Sequence, residues 1–161
     1  MNKIQFDKWT FTDDQIKEGM CYLSRSLLSS SLEISTLDVT VYNTDHTIKN
    51  FVEDTPVALF NGDKRVTTFF LQDVERISRN QYEITAVSFA GVLDSKDDYG
   101  GIFTGQTVGE VVPQICGNFP VYVASNVASI KLYGWLPIAS RRENLTQVLF
   151  AISATVSTDD T

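Results

Sequence analysis

Lys131–Ala154, KLYGWLPIASRRENLTQVLFAISA, is the stretch on which the reading of the fold turns. Its second half carries the strongest helix signal in the chain. Ser140 is a good N-cap, and Glu143 three residues later completes a capping box, in which two otherwise unpaired backbone donors are satisfied reciprocally. Beyond the cap, Leu145, Val148, Leu149 and Ile152 fall on one helical face. Fully burying those four side chains is worth roughly 6–12 kcal/mol, whereas the cap adds about 1 kcal/mol. A helix this short is marginal alone, so it must pack. The expected partner is the apolar segment just before it, residues 130–138, which holds Trp135 and ends in the stiff Leu136–Pro137 step.

At 161 residues the chain suits one domain or two small ones with a real core. A formal charge of −7 argues against bulk electrostatic affinity for nucleic-acid phosphates or anionic lipid. Cys21 and Cys116 lie far apart and fit no metal-ligand spacing, so both are expected to be small buried apolar residues. The N-terminus lacks the pattern of a secretory signal, and no stretch approaches the ~18 apolar residues of a membrane span. Synthesis in a reducing cytosol and no membrane insertion by this segment are the corresponding expectations.

Working from the N-terminus, Thr12 and Gln15 have capping-box spacing, which predicts a single helical turn stopped by Gly19. Period-two alternation then begins at Met20 and breaks at Ser29–Ser31. Leu32–Asn43 reads as a strand with a bulge or corner at Ser35–Thr36. PVALF from Pro56, followed by Asn61-Gly62, predicts a hairpin whose returning strand covers Val66–Ile77. A turn at Ser78–Gln81 leads to Tyr82, Ile84 and Ala86. Five or six short antiparallel strands predict a β-barrel or sandwich over residues 1–95. SKDDYGG then reads as a linker, and residues 96–161 as a small α/β domain. There Thr107 and Glu110 cap a helix with Val108, Val111, Val112 and Ile115 inward, Pro113 inside it and Gly117 at its end. PVYVA (Pro120–Ala124) reads as a brief strand, and Thr158–Thr161 as frayed. The fold class is therefore α+β.

Few residues could carry chemistry. His46, the only histidine, sits in a polar loop with no positioned nucleophile, and reads as a surface residue. GGIFTG matches neither dinucleotide nor P-loop spacing and reads as a turn between units. The acidic pairs Asp13-Asp14, Asp97-Asp98 and Asp159-Asp160 lack the pattern of a calcium loop. No catalytic, cofactor or metal residue is assigned. Arg141-Arg142 stands out because basic residues in the first turn oppose the helix dipole. Such a pair calls for an acidic partner, within the chain or across an interface. Trp135 reads as a core residue or as an interface anchor.

LEISTLDVTVYN, TPVALFNGDKRVTTFFLQDVERISRNQYEITAVSFAGVLD, GGIFTG and above all YGWLPIASRRENLTQVLFAISA resemble the N-terminal part of tail-tip baseplate hub proteins of phages and prophages. The resemblance runs from about Asp13 to Val156. It implies a β-barrel tube domain followed by an inserted α/β domain, in a homotrimer whose barrels form a pseudo-hexameric ring. That ring would meet other tail-tube and tail-tip proteins and let DNA pass without specific binding. An acidic lumen would let DNA slide without sticking. Such hubs carry a second tube barrel that this sequence lacks, so the chain is expected to be truncated or degenerate, and ring closure by this segment is an open expectation. The competing readings are a carbohydrate- or receptor-binding β module, with Tyr22, Tyr42 and Phe70 as residues to inspect, and a wall hydrolase, for which no carboxylate cluster or His-centred site is found.

Overall fold

The computed structural model describes residues 2–24 and 32–156. Ser29–Ser31 and Thr158–Thr161 lie outside the described residues. The chain divides into two compact units, with residues 33–92 in the first and 93–156, together with Leu32, in the second.

In the first unit, seven antiparallel strands form one sheet: β1 (Asn2–Phe6), β2 (Trp9–Thr12), β3 (Ile16–Tyr22), β4 (Thr36–Tyr42), β5 (Pro56–Asn61), β6 (Lys64–Arg76) and β7 (Gln81–Val87). Their order is β2-β1-β5-β6-β7-β4-β3. The two edge strands are consecutive in sequence and joined only by residues 13–15. Laid flat, the edges would stand on the order of 29 Å apart, at about 4.8 Å per strand. The link between Thr12 and Ile16 spans at most about 15 Å. The sheet must therefore curl back on itself. Among the described residues no ladder joins β2 to β3, so of the two expected forms, barrel or sandwich, the curled sheet takes the sandwich-like one, open at that seam.

Inside the curl, alternation does what period two requires. Ile4, Phe6, Phe11, Leu37, Val39, Val41, Phe69, Leu71, Tyr82, Ile84 and Ala86 are all buried in one cluster. Ile48, on a 3-10 turn at Thr47–Asn50, plugs the same core. The hairpin turn falls one residue later than expected, at Gly62-Asp63 between the paired Asn61 and Lys64, with Gly62 at φ +63°. The expected helical turn at Thr12 is instead a β-turn, closed by Gln15 N–H donating to the Thr12 carbonyl at 2.8 Å, and Gly19 lies inside β3. The β1–β2 hairpin was not read from the sequence.

α1 (Phe89–Asp94) straddles the division, its residues up to Val92 belonging to the first unit, and the second unit contains β8 (Asp97–Asp98), β9 (Gly101–Thr107), α2 (Val108–Cys116), α3 (Ser125–Ala128), β10 (Lys131–Leu136), β11 (Ala139–Ser140) and α4 (Arg141–Ala151). Both predicted capped helices form. The Glu110 carboxylate accepts from the Thr107 N–H at 2.7 Å, and Glu143 N–H donates to the Ser140 hydroxyl at 3.2 Å. Pro113 stays inside α2, which ends at Gly117. Leu145 and Val148 are buried on α4, but the main partner is α2, and residues 130–138 meet α4 through the Asn144–Pro137 hydrogen bond. Lys131–Leu136 pairs with β9, so GGIFTG is a strand and not a turn. PVYVA forms no strand.

Candidate interaction surfaces

β9 and β10 make a two-stranded ribbon with Trp135 opposite Ile102 and Tyr133 opposite Thr104. One face of the ribbon turns to solvent. Trp135 is 70% exposed, which removes it from the core. It lines an apolar groove with Tyr99, Ile102, Leu136, Pro137 and Ile138. Ile102 and Ile138 are exposed as fully as Trp135. The side-chain polar atoms in the lining are the Tyr99 hydroxyl and the Trp135 indole N–H. An exposed apolar face of this kind marks a contact surface, whereas a sugar site needs several converging polar groups.

The groove has a rigid floor. Asn144, fully buried on α4, donates to the Asp98 carboxylate at 2.7 Å and to the Pro137 carbonyl at 3.0 Å. Gly100, at φ +64°, lets its backbone pass so close to the Leu136 and Pro137 carbonyls that a Cβ there would lie 2.1 and 2.4 Å from their oxygens. Asn144 drew no attention as a sequence feature, because a polar residue on an apolar helical face gives no sign of which backbone it will meet.

Arg141 and Arg142 serve groups within the second unit. The Arg142 guanidinium pairs with Asp94 at 2.7 Å and donates to the Leu32 carbonyl at 3.0 Å. Arg141 reaches the Cys116 carbonyl at 3.4 Å. That carbonyl closes α2, so a charge that opposes the dipole of its own helix complements the end of the next one. Gly117 makes room: a Cβ there would lie 2.1 Å from an Arg141 guanidinium nitrogen.

The other sequence candidates scatter. His46 stands at φ +57°, with Nδ1 2.9 Å from the buried Tyr82 hydroxyl. Cys116 is buried, and burial pushes its thiol up to about 11. Cys21, expected inside, is exposed on β3, an edge strand whose contact with the core is made by Ile16 at its start. Tyr22 and Tyr42 are exposed, and Phe70 is half-buried. Among the described residues no cluster of His, Cys, Asp or Glu is arranged to hold a metal, and no helix is long and apolar enough to cross a membrane.

This fold, a curled antiparallel sheet followed by a smaller mixed unit, is shared with two solved tail proteins. The chain is similar to the 43 kDa tail protein of prophage MuSo2 from Shewanella oneidensis, at 20% identity over 92% of its length with a TM-score of 0.57. It is also similar to the tail protein from Neisseria meningitidis MC58, at 13% identity over 99% with a TM-score of 0.60. The chain spans about half the length of each, 48% in both cases. No protein-family model and no curated protein sequence matches it.

Proposed function

We propose that this chain is a structural, non-enzymatic component of a phage or prophage tail, placed at the tail tip or baseplate hub. There it adapts the tail tube to the tip around the channel through which DNA leaves. The observation that carries the reading is the fold shared with two tail proteins over 92% and 99% of the chain. The exposed groove at Trp135 supports it, since an assembly protein needs apolar surface for its neighbours. The full assembly is a homotrimer in contact with other tail-tube and tail-tip proteins. DNA passes it without sequence-specific contact.

The test is to induce the phage or prophage and image its tails by electron microscopy, with an antibody against this chain. Label at the tip supports the hub role, label along the tube supports only a tail role, and unlabelled tails refute both. A second reading, a carbohydrate-binding module, draws on the exposed rings of Tyr99, Tyr133 and Trp135. A glycan array that shows binding lost in Trp135→Ala would favour it.

A further inference from the structure

Where β1 ends and β2 and β5 begin, the first unit holds a cavity of about 500 Å³. That volume falls within the roughly 300–1,000 Å³ of small-ligand sites. The floor is apolar, set by the buried side chains of Phe6 on β1 and Leu71 on β6. Trp9, half-buried at the start of β2, forms a wall. Its ring is held in place, because the indole N–H donates to the Thr47 hydroxyl at 3.0 Å and the Phe6 ring lies 5.4 Å away, centre to centre. Backbone bonds fix the rim at Thr55. Its carbonyl accepts from the Leu71 N–H at 2.9 Å, and the neighbouring Asp54 N–H donates to the Leu71 carbonyl at 2.8 Å. The walls are therefore preformed.

Polar side chains gather at the mouth. Asp7, in the β1–β2 turn, and Asn50, at the end of the 3-10 turn, are exposed and line the cavity. Among the described residues neither the Asp7 carboxylate nor the Asn50 amide has a partner. The Thr55 hydroxyl donates to the Val52 carbonyl at 2.7 Å, which leaves its oxygen as an acceptor. Asp7 is held at φ +46°, a left-handed conformation that Asp adopts more readily than most residues, and backbone outliers of this kind cluster at ligand sites. The Lys8 ammonium, 4.9 Å from the centre of the Trp9 ring, balances the Asp7 charge, so the turn selects no ion of either sign. What the cavity offers is an acceptor, an amide that both donates and accepts, an aromatic wall and an apolar floor. That set matches a neutral ring with several hydroxyls and one methyl-bearing group.

We infer that this cavity is a carbohydrate site whose ligand is the terminal N-acetylated amino sugar of a glycan. The acetyl methyl lies against Phe6 and Leu71, and the C–H face of the sugar against Trp9. Its hydroxyls donate to the Asp7 carboxylate and exchange hydrogen bonds with the Asn50 amide. The residue is terminal because buried side chains close the floor. A sugar without the acetyl group leaves that floor uncovered, and a difference of methyl size is worth about tenfold or more in affinity. The site lies in the first unit, whereas the Trp135 groove lies in the second. A glycan site goes beyond a purely structural role in the tail.

The test is an NMR titration of the full chain, followed at its amide signals, with the β-linked dimer of N-acetylglucosamine and with cellobiose, which has the same linkage and no acetyl groups. Shifts are expected at the amides of Asp7, Asn50 and Thr55 and at the Trp9 indole N–H, with cellobiose at least about tenfold weaker. Asp7→Asn keeps a residue that tolerates the left-handed turn and removes the charged acceptor, so it should weaken binding about tenfold. A spectrum unchanged away from the turn confirms that this variant folds. Trp135→Ala is expected to bind like wild type. No shift at these residues with either sugar, equal affinity for the two, or unchanged binding in Asp7→Asn overturns the proposal. Binding lost in Trp135→Ala and kept in Asp7→Asn overturns it in favour of the groove. A cavity that takes no sugar leaves the tail role intact, because electron microscopy decides that separately.

Discussion

Replacing Gly100 by alanine tests how the groove is built. Two costs add. An L-residue held at φ +64° costs about 1–2 kcal/mol. The new Cβ would also meet the Leu136 oxygen at 2.1 Å and the Pro137 oxygen at 2.4 Å. Both are backbone atoms that no rotamer change can move aside, so the strand must shift, at an overpacking cost of about 1–3 kcal/mol. The total is about 2–5 kcal/mol. Gly62 supplies a matched control, because it has φ +63° and nothing within 4 Å of its Cβ position. Gly62→Ala therefore carries the conformational cost alone, about 1–2 kcal/mol. The entropy lost by the unfolded chain is common to both substitutions and cancels. Hydrogen exchange reads each unit by itself: amides of Leu145 and Val148 for Gly100→Ala, and of Ile84 for Gly62→Ala. If Gly100→Ala costs no more than Gly62→Ala, the backbone approach that forms the groove floor is refuted.

Further outcomes follow from other groups. Trp135→Thr should lower stability by less than about 1 kcal/mol in urea unfolding, against about 3–5 kcal/mol for a buried tryptophan, and a larger loss would return Trp135 to the core. Burial holds the Cys116 thiol protonated up to about 11 against a usual 9.0, so the stability from that burial is complete below pH 9.0 and disappears as pH rises towards 11. The excess alkaline loss relative to Cys116→Ala measures it, and in the folded chain a thiol reagent should modify Cys21 long before Cys116. Two hydrogen bonds from Thr107 hold the Glu110 carboxyl below its usual 4.5. The deficit of Glu110→Gln should therefore be full above pH 4.5 and shrink as acid titrates the wild-type carboxyl, checked by urea melts along a pH series. Ser140→Ala should cost about 1 kcal/mol, read from exchange in α4.

The tail-like fold covers half the length of the solved proteins it matches.

Local chemistry was legible in the residues themselves. Capping boxes at Thr107 and Ser140, the end of α2 at Gly117, and the inward sets on β4, β7 and α2 all depend on neighbours within a few positions, and the structure contains them. What could not be read was which distant element each face would meet. The apolar segment around Trp135 left core and interface anchor both open, and the residue is exposed because α4 packs on α2 and leaves the β9–β10 ribbon with one open face. Cys21 and Met20 alternate as a buried strand would, but β3 is an edge strand that meets the core only through Ile16 at its start. GGIFTG looked like a turn because glycine is a weak strand former, and it pairs because β10 supplies the ladder. Periodicity and caps are short-range and fix elements. Exposure and juxtaposition depend on pairings between residues far apart in sequence, which only the folded chain selects.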